Sequence, residues 1–431
     1  MKVISGGVCA PKGFLAGGIR CGIKPSSKKK DLALIYSNKV CSAAAMFTTN
    51  KVKAASIQVS MENIKDGRLQ AVIINSGNAN ACTGDDGLNV SKKMVNLAAD
   101  ALLINPCDVI VASTGVIGVP LPVEVIEENI GVLKSSLTNE TKGHDDALEA
   151  IMTTDIRKKE ITVEIEIDSK IVRIGAMTKG SGMINPNMAD VKHATHVKHA
   201  TMLAFITTDA AIMPSALDIC LKKAVKKSFN RLTVDGDTST NDMVLVMANG
   251  EAGNKPIVLT ESGQLSVDNL SSAEKDYKTF YEALEYVCTE LTKMMARDGE
   301  GATKLVTVTV DGAESEETAE KLAKSVVSSS LVKAACFGAD ANWGRVLCAM
   351  GYAGAEFSAQ NVNVSFKSSA GDVMVCKDGK TYPFSEEKAK QILNEEEIEI
   401  YITLSDGQSK VSVWGCDLTY DYVKINGDYR S

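Results

Sequence analysis

The chain has 431 residues, 45% of them hydrophobic and 23% charged, with 54 acidic side chains against 47 Lys and Arg for a formal net charge of −7. The length predicts two or three domains or one large layered body, and the composition excludes a disordered or fibrous chain. The acidic balance argues against nucleic acid as the main partner, because a phosphate-binding surface shows as a basic excess or stripe.

The opening MKVISGGVCAPKG lacks the roughly 7 to 15-residue apolar core of a signal peptide, and no window approaches the roughly 18 to 20 apolar residues of a membrane helix, so a cytosolic location is expected. The densest basic run, SSKKK at 26–30, sits between turn residues and reads as a solvated loop. LQAVIINSGNA (69–79) and DVIVASTG (108–115) read as buried strands ending in Gly/Ser/Asn loops, with helical spacing in NVSKKMVNLAADALL between them. ITVEIEIDSKIVRIGAMTKGSG (161–182) alternates strictly and turns at Asp168-Ser169, which predicts a hairpin with one solvated face. PSALDICLKKAVKKSFN predicts a helix with Pro214 in its first turn, and 273–299 is the longest helical pattern, with Gly299 as its stop. Further strands are expected at 305–310, 398–404 and 410–415. The mixture predicts an α/β (α+β layered) fold, with antiparallel-rich sheets packed with helices. Eleven cysteines without any CxxC pair read as buried thiols in a reducing compartment.

The segment MADVKHATHVKHATMLAFITTDA (188–210) writes a six-residue unit nearly twice and holds His193, His196 and His199, three of the four histidines. A zinc site needs three or four converging ligands; HxxHxxH spreads its imidazoles around a helix and has only Asp190 close by, so an exposed loop is the better reading and no metal is assigned. The threonines offer different chemistry. A Thr hydroxyl becomes a useful nucleophile when Thr is the first residue of a chain, because its own α-amine, with a pKa near 7.7 to 8.0, serves as base. An internal Thr reaches that state only when the peptide bond before it is broken.

KGSGMINPNMA (179–189) followed by TMLAFITTDA (201–210) resembles the signature of the ornithine acetyltransferase family, also called glutamate N-acetyltransferase, of arginine biosynthesis. The resemblance runs through the whole chain: INSGNANACTG (74–84), ASTGVIG (112–118), MTTD (152–155), VDGDTSTND (234–242), RDGEGATK (297–304), DANWGR (340–345) and NGDYRS (426–431) have counterparts in order. It implies an N-terminal-nucleophile-like self-processing architecture. Cleavage after Ala200 would leave residues 1–200 as an α chain and 201–431 as a β chain, assembled as two of each. Thr201 would be the nucleophile, and Thr114 and Gly115 the oxyanion hole. Thr153, Thr154, Lys179, Thr201, Glu300, Asn426 and Ser431 would hold substrate. The substrates implied are N-acetylornithine and glutamate, with acetyl-CoA a second donor in some members. No cofactor, nucleic acid or membrane is implied.

In the family pattern NMATMLAFITTDA is continuous, whereas here DVKHATHVKHA (190–200) separates Ala189 from Thr201. The downstream match identifies Thr201 rather than Thr195, and the insertion makes cleavage, not fold, the open question. Three alternatives stand beside acetyl transfer: an amidase or aminopeptidase passing its acyl group to water, an uncleaved inactive precursor, and a non-catalytic metal-binding protein built on the His-rich insert.

Overall fold

The computed structural model of the protein describes residues 1–25, 27–191, 202–259 and 272–428. The larger of its two sheets holds ten strands: β1 (Lys2–Ile4), β2 (Phe14–Ile19), β3 (Leu32–Thr48), β4 (Arg68–Asn78), β5 (Val109–Val116), β6 (Lys159–Ile167), β7 (Lys170–Lys179), β8 (Met188–Ala189), β9 (Leu203–Thr208) and β10 (Met243–Ala248). Their order is β1-β6-β7-β9-β10-β3-β4-β5, with β2 and β8 also paired to β3. The pairings are antiparallel except β9 with β10 and β4 with β5. Strands β9 and β10, which follow the inserted segment in sequence, lie between β7 and β3.

Helices α1 (Ala55–Asn63), α2 (Gly84–Leu102), α3 (Val123–Ser135) and α4 (Thr141–Ile151) precede β6; α5 (Pro214–Lys227) and α6 (Ser272–Arg297) flank β10 in sequence. Every residue of β9 is buried, and its side chains divide by parity. Ala204 and Ile206 pack in the core with Leu217 and Leu221 of α5 and Phe280 and Leu284 of α6. Leu203 and Phe205 belong to the opposite core, with Ala147 and Leu148 of α4. A sheet covered on both faces reads as continuous apolar runs, which is why LAFITT and MVLVMA show no alternation. At ~25 cal/mol per Å2 of apolar surface, such strands hold the middle of the fold together.

The smaller sheet orders β14 (Lys380–Thr381), β13 (Gly371–Lys377), β12 (Asn363–Ser368), β15 (Glu397–Thr403), β11 (Leu305–Ala313) and β16 (Ser409–Cys416). It carries α7 (Glu316–Ser328), α8 (Ser330–Phe337), α9 (Trp343–Gly351) and α10 (Glu386–Leu393), and α11 (Tyr420–Asp428) follows. Leu322 and Val326 of α7 and Ile392 and Leu393 of α10 close one face over Val308, Val310 and Ile400. Strand β15, EIEIYIT, alternates between buried and half-exposed positions, as a one-faced sheet requires.

The predicted hairpin is β6–β7, with Asp168 and Ser169 both left-handed at φ 49° and 57°, as a two-residue turn matching strand twist demands. Pro214 opens α5. Seven of the cysteines are buried. Helix α6 ends at Arg297; the Asp298 N–H still bonds Met294 O while Gly299 N turns to Ala296 O, so the chain leaves the helix at the expected glycine, with the left-handed residue at Gly301, φ 69°. One expectation is corrected. Lys30 is not a freely solvated charge, since its ammonium pairs with Asp146 and Glu149. Among the described residues no helix is long and apolar enough to cross a membrane.

Candidate active site

One row of the larger sheet organises the site. Lys179 at the end of β7 pairs with Leu203 at the start of β9, Leu203 with Met243, Met243 with Phe47 of β3, and Phe47 with Ala189 of β8. Thr114 and Gly115 end β5, which four strands separate from β7 in the pairing order. The 17-residue β3 pairs with β4 mainly through residues 32–36 and with β10 through 42–47, with a register shift between Tyr36 and Cys41, so β4–β5 and β7–β9–β10 share one core and their ends meet: Lys179 Nζ lies 3.5 Å from Thr114 Oγ1 and donates to Thr153 Oγ1 at 2.7 Å. Three residues singled out in the sequence, Lys179, Thr114 and Thr153, thus meet at one ammonium group. Gly115 sits at φ +135°, and a Cβ there would fall 2.3 Å from the Gly77 carbonyl carbon, so only glycine lets β4 and β5 approach this closely.

Lys179 is 2% exposed. Burial pulls its pKa below the usual lysine value, against the opposing charges of Asp155, Glu300 and Asp242. Asp155 Oδ2 is 3.8 Å away. Burial pushes the Asp155 carboxyl up, but Lys179 and Lys159 together more than offset it and hold the group well below the ordinary carboxylate range. Asp155 also accepts from Gly180 N at 2.7 Å and Thr153 N at 3.0 Å, so one carboxylate fixes the backbone on both sides of the Lys179–Thr153 contact. Behind it Lys159, 1% exposed, bridges Asp155 and Asp298. A buried charge this well partnered is tolerated only when every member stays in place.

Thr154 Oγ1 and Ser181 Oγ are 2.7 Å apart. Ser181 O accepts from Glu300 N at 2.9 Å, and the Glu300 carboxylate lies against Gly182, where a Cβ would come within 2.4 Å of it. Asn426 Nδ2 donates to Glu300 Oε2 at 2.9 Å, tying α11 to this side of the site. The hydroxyl–lysine group and the Glu300–Asn426 pair are thus two poles, one cationic and one anionic, joined through residues 179–182. A molecule carrying both an amine and a carboxylate has partners of both signs here.

Ala200, Thr201 and Ser431 lie outside the described residues, as do His193, His196 and His199. The flanks of the cleavage segment are described. Met202 is fully buried, its N–H donates to Asp242 Oδ1 at 2.6 Å, and its carbonyl accepts from Met243 N at 3.1 Å. Ala189 lies beyond β10 and β3 from Leu203, roughly 14 Å away at about 4.8 Å per strand.

Sequence reasoning did not single out Asp155, Lys159, Asp298, Ser181, Asn241 and Asp242. Asp155, Asp298 and the Asn241-Asp242 pair stand inside motifs quoted for the resemblance, so their position was marked although their burial was not readable.

Fold and site together define a layered α/β protein in which the buried Asp155, Lys159, Asp242 and Asp298 gather around Lys179. The chain matches the ArgJ family model over residues 15–431 and belongs to that family. It is 47% identical to an arginine biosynthesis bifunctional protein ArgJ of Caldanaerobacter subterraneus over 431 residues, all of both chains. It is 48% identical to ArgJ 1 of Clostridium acetobutylicum over 422 residues, 97% of this chain and 96% of that one. The solved structure of the Bacillus halodurans arginine biosynthesis bifunctional protein is 44% identical, covers 53% of this chain and 100% of its own, and superposes with a TM-score of 0.48.

Proposed function

We propose that this protein transfers the acetyl group of N-acetyl-L-ornithine to L-glutamate in arginine biosynthesis, through an acetyl ester on Thr201. The observation that carries the reading is the convergence of Lys179 with the hydroxyls of Thr114 and Thr153 beside the strand that begins two residues after Thr201, in a chain of the ArgJ family. Cleavage between Ala200 and Thr201 divides the protein into an α chain, 1–200, and a β chain, 201–431, and two of each assemble in the cytoplasm. The freed α-amine of Thr201 takes the hydroxyl proton as Oγ attacks the acetyl carbonyl. Thr114 and Gly115 stabilise the resulting oxyanion, and Lys179 adds positive charge beside them. The amide C–N bond breaks, ornithine leaves with the proton, and the amine of glutamate then attacks the ester carbonyl and releases Thr201. Thr153, Thr154, Lys179, Glu300, Asn426 and Ser431 hold the common amino-acid part of both substrates. Acetyl-CoA serves as a second acetyl donor to the same threonine.

The test is mass spectrometry and assay of the purified protein. The expected result is a chain beginning Thr-Met-Leu-Ala, an acetyl adduct on it with N-acetylornithine, and acetylglutamate when glutamate is added. Thr201→Ala should remain a single intact chain without transfer. Acetate release that glutamate does not redirect would make the protein a hydrolase, and one uncleaved, inactive wild-type chain after prolonged incubation would make it a precursor.

A further inference from the structure

The stretch Ser239-Thr240-Asn241-Asp242 is buried from end to end and touches both halves of the site. Asn241 Nδ2 donates to Ala79 O and to Ser113 O, each at 2.7 Å, and Ser113 is the residue before Thr114 on β5. The Thr240 hydroxyl donates to Asn241 Oδ1, which leaves the amide's two N–H bonds for those two carbonyls. The next residue, Asp242, accepts the N–H of Met202, the residue after Thr201. Consecutive Cα atoms across a trans peptide are about 3.8 Å apart, so a single peptide unit sets the spacing between the two grips. The loop is itself pinned from behind: Thr48 N donates to Asp242 O, Thr48 Oγ1 to Ser239 O, and Ala54 N to Thr240 O.

A buried asparagine that bridges two carbonyls is often only a loop staple. Asp242 separates this case from that one. Its Oδ2 is buried and has no hydrogen-bond partner among the described residues. Burial pushes the carboxyl well above its ordinary value, against the Met202 N–H and the charge of Lys179. An unpartnered buried carboxyl oxygen is costly, and a structure that needed only a staple would do better with an apolar or fully satisfied residue. The cost falls at the two places whose separation matters for acyl transfer.

We propose that Asn241 and Asp242 are positioning residues which fix the register between the oxyanion-binding end of β5 and the backbone that carries the nucleophile. The inference rests on the function proposed above. Asn241 sets the carbonyl of the 113–114 peptide and with it the direction of that peptide plane. Asp242 sets the backbone N–H one residue past Thr201. Neither touches the reacting atoms, and their effect is on alignment, where about 1 Å of misplacement costs on the order of 10²-fold in rate.

Three variants test this: Asn241→Ala, Asp242→Ala and the near-isosteric Asp242→Asn, whose amide oxygen still accepts the Met202 N–H. In acetyl transfer from N-acetylornithine to glutamate, both alanine variants should lose about 10²-fold in kcat with KM within about twofold, the signature of lost transition-state alignment rather than lost binding. Asp242→Asn should recover at least about tenfold of that loss. Hydrogen exchange should show faster amide exchange in peptides 112–118 and 202–208 of Asn241→Ala, with the rest of the larger sheet unchanged. The proposal is overturned if kcat holds in the alanine variants, if KM and thermal midpoint collapse together with kcat, or if Asp242→Asn is as impaired as Asp242→Ala. Should wild type transfer no acetyl group, the functional reading fails, and exchange decides the clamp alone: unaltered protection in both peptides of Asn241→Ala overturns it.

Discussion

Lys179 and Lys333 are both buried, one at the strand ends of the larger sheet and one in the seam where the smaller sheet meets it, yet their surroundings differ in kind. Lys333 Nζ donates to two backbone carbonyls, Val234 O at 2.6 Å and Cys416 O at 2.7 Å, which neither titrate nor move independently of the fold, with the buried Cys416 Sγ at 3.4 Å as a weaker third acceptor. Lys179 is held by the hydroxyls of Thr153 and Thr114 and by the more distant Asp155. Hydroxyls rotate and can exchange one partner for another, so this ammonium group can turn toward a ligand, whereas that of Lys333 is committed to holding two segments together. Burial alone does not mark a functional lysine; the chemistry of its acceptors does.

The contrast can be tested by breaking each arrangement in turn. Lys159→Met should have the largest effect on stability, because it leaves Asp155 and Asp298 buried against each other without their cation; a loss of about 3–5 kcal/mol is expected in denaturant unfolding. The same carboxylate gives a pH signature. Asp155 is held below its unfolded value near 3.9, so its contribution is fully present above about pH 4 and is lost as pH falls toward its folded value. Asp155→Asn should flatten the acid limb of the stability profile, and an unchanged limb would show that other carboxylates set it. Lys179→Met should lower kcat by about 10²–10³-fold, the usual size for a lost charge-stabilising donor, and should also lower the unfolding midpoint, because it removes one of the two cations beside the buried Asp155. Lys333→Met should cost about 1–3 kcal/mol for the carbonyls left unpaired, with little change in kcat. The smallest effect is expected at the exposed face of the smaller sheet: Tyr401→Phe removes the phenol bond to Asp311 and should cost about 0.5–1.5 kcal/mol without altering turnover.

How far the sequence could be read follows from the same physics. The β6–β7 hairpin, α5 with its opening proline, and the strands expected at 305–310, 398–404 and 410–415, found as β11, β15 and β16, were legible because each signal is local: period-two alternation, turn residues, an apolar run of strand length. The meeting of Lys179 with Thr114 was not, since four strands separate β7 from β5 and no local pattern encodes the packing that brings their ends together. Resemblance named both residues without explaining why they meet. Asp155 and Asp298 look like surface acids in a one-dimensional reading; only the shared bond to Lys159 shows them as buried partners 143 positions apart, the difference between residue numbers 298 and 155.

The site draws its parts from nearly the whole length of the chain. Thr114 comes from β5, Lys179 from β7, the Met202 grip from Asp242 just before β10, Glu300 from the loop after α6, and Asn426 from α11. During synthesis, β9 has only β7 beside it until β10 emerges, and Glu300 lacks its amide partner until the last helix is made. A chain that stops short of α11 lacks the amide that holds the Glu300 carboxylate, although Thr114, Lys179, Asp242 and Glu300 itself are already present.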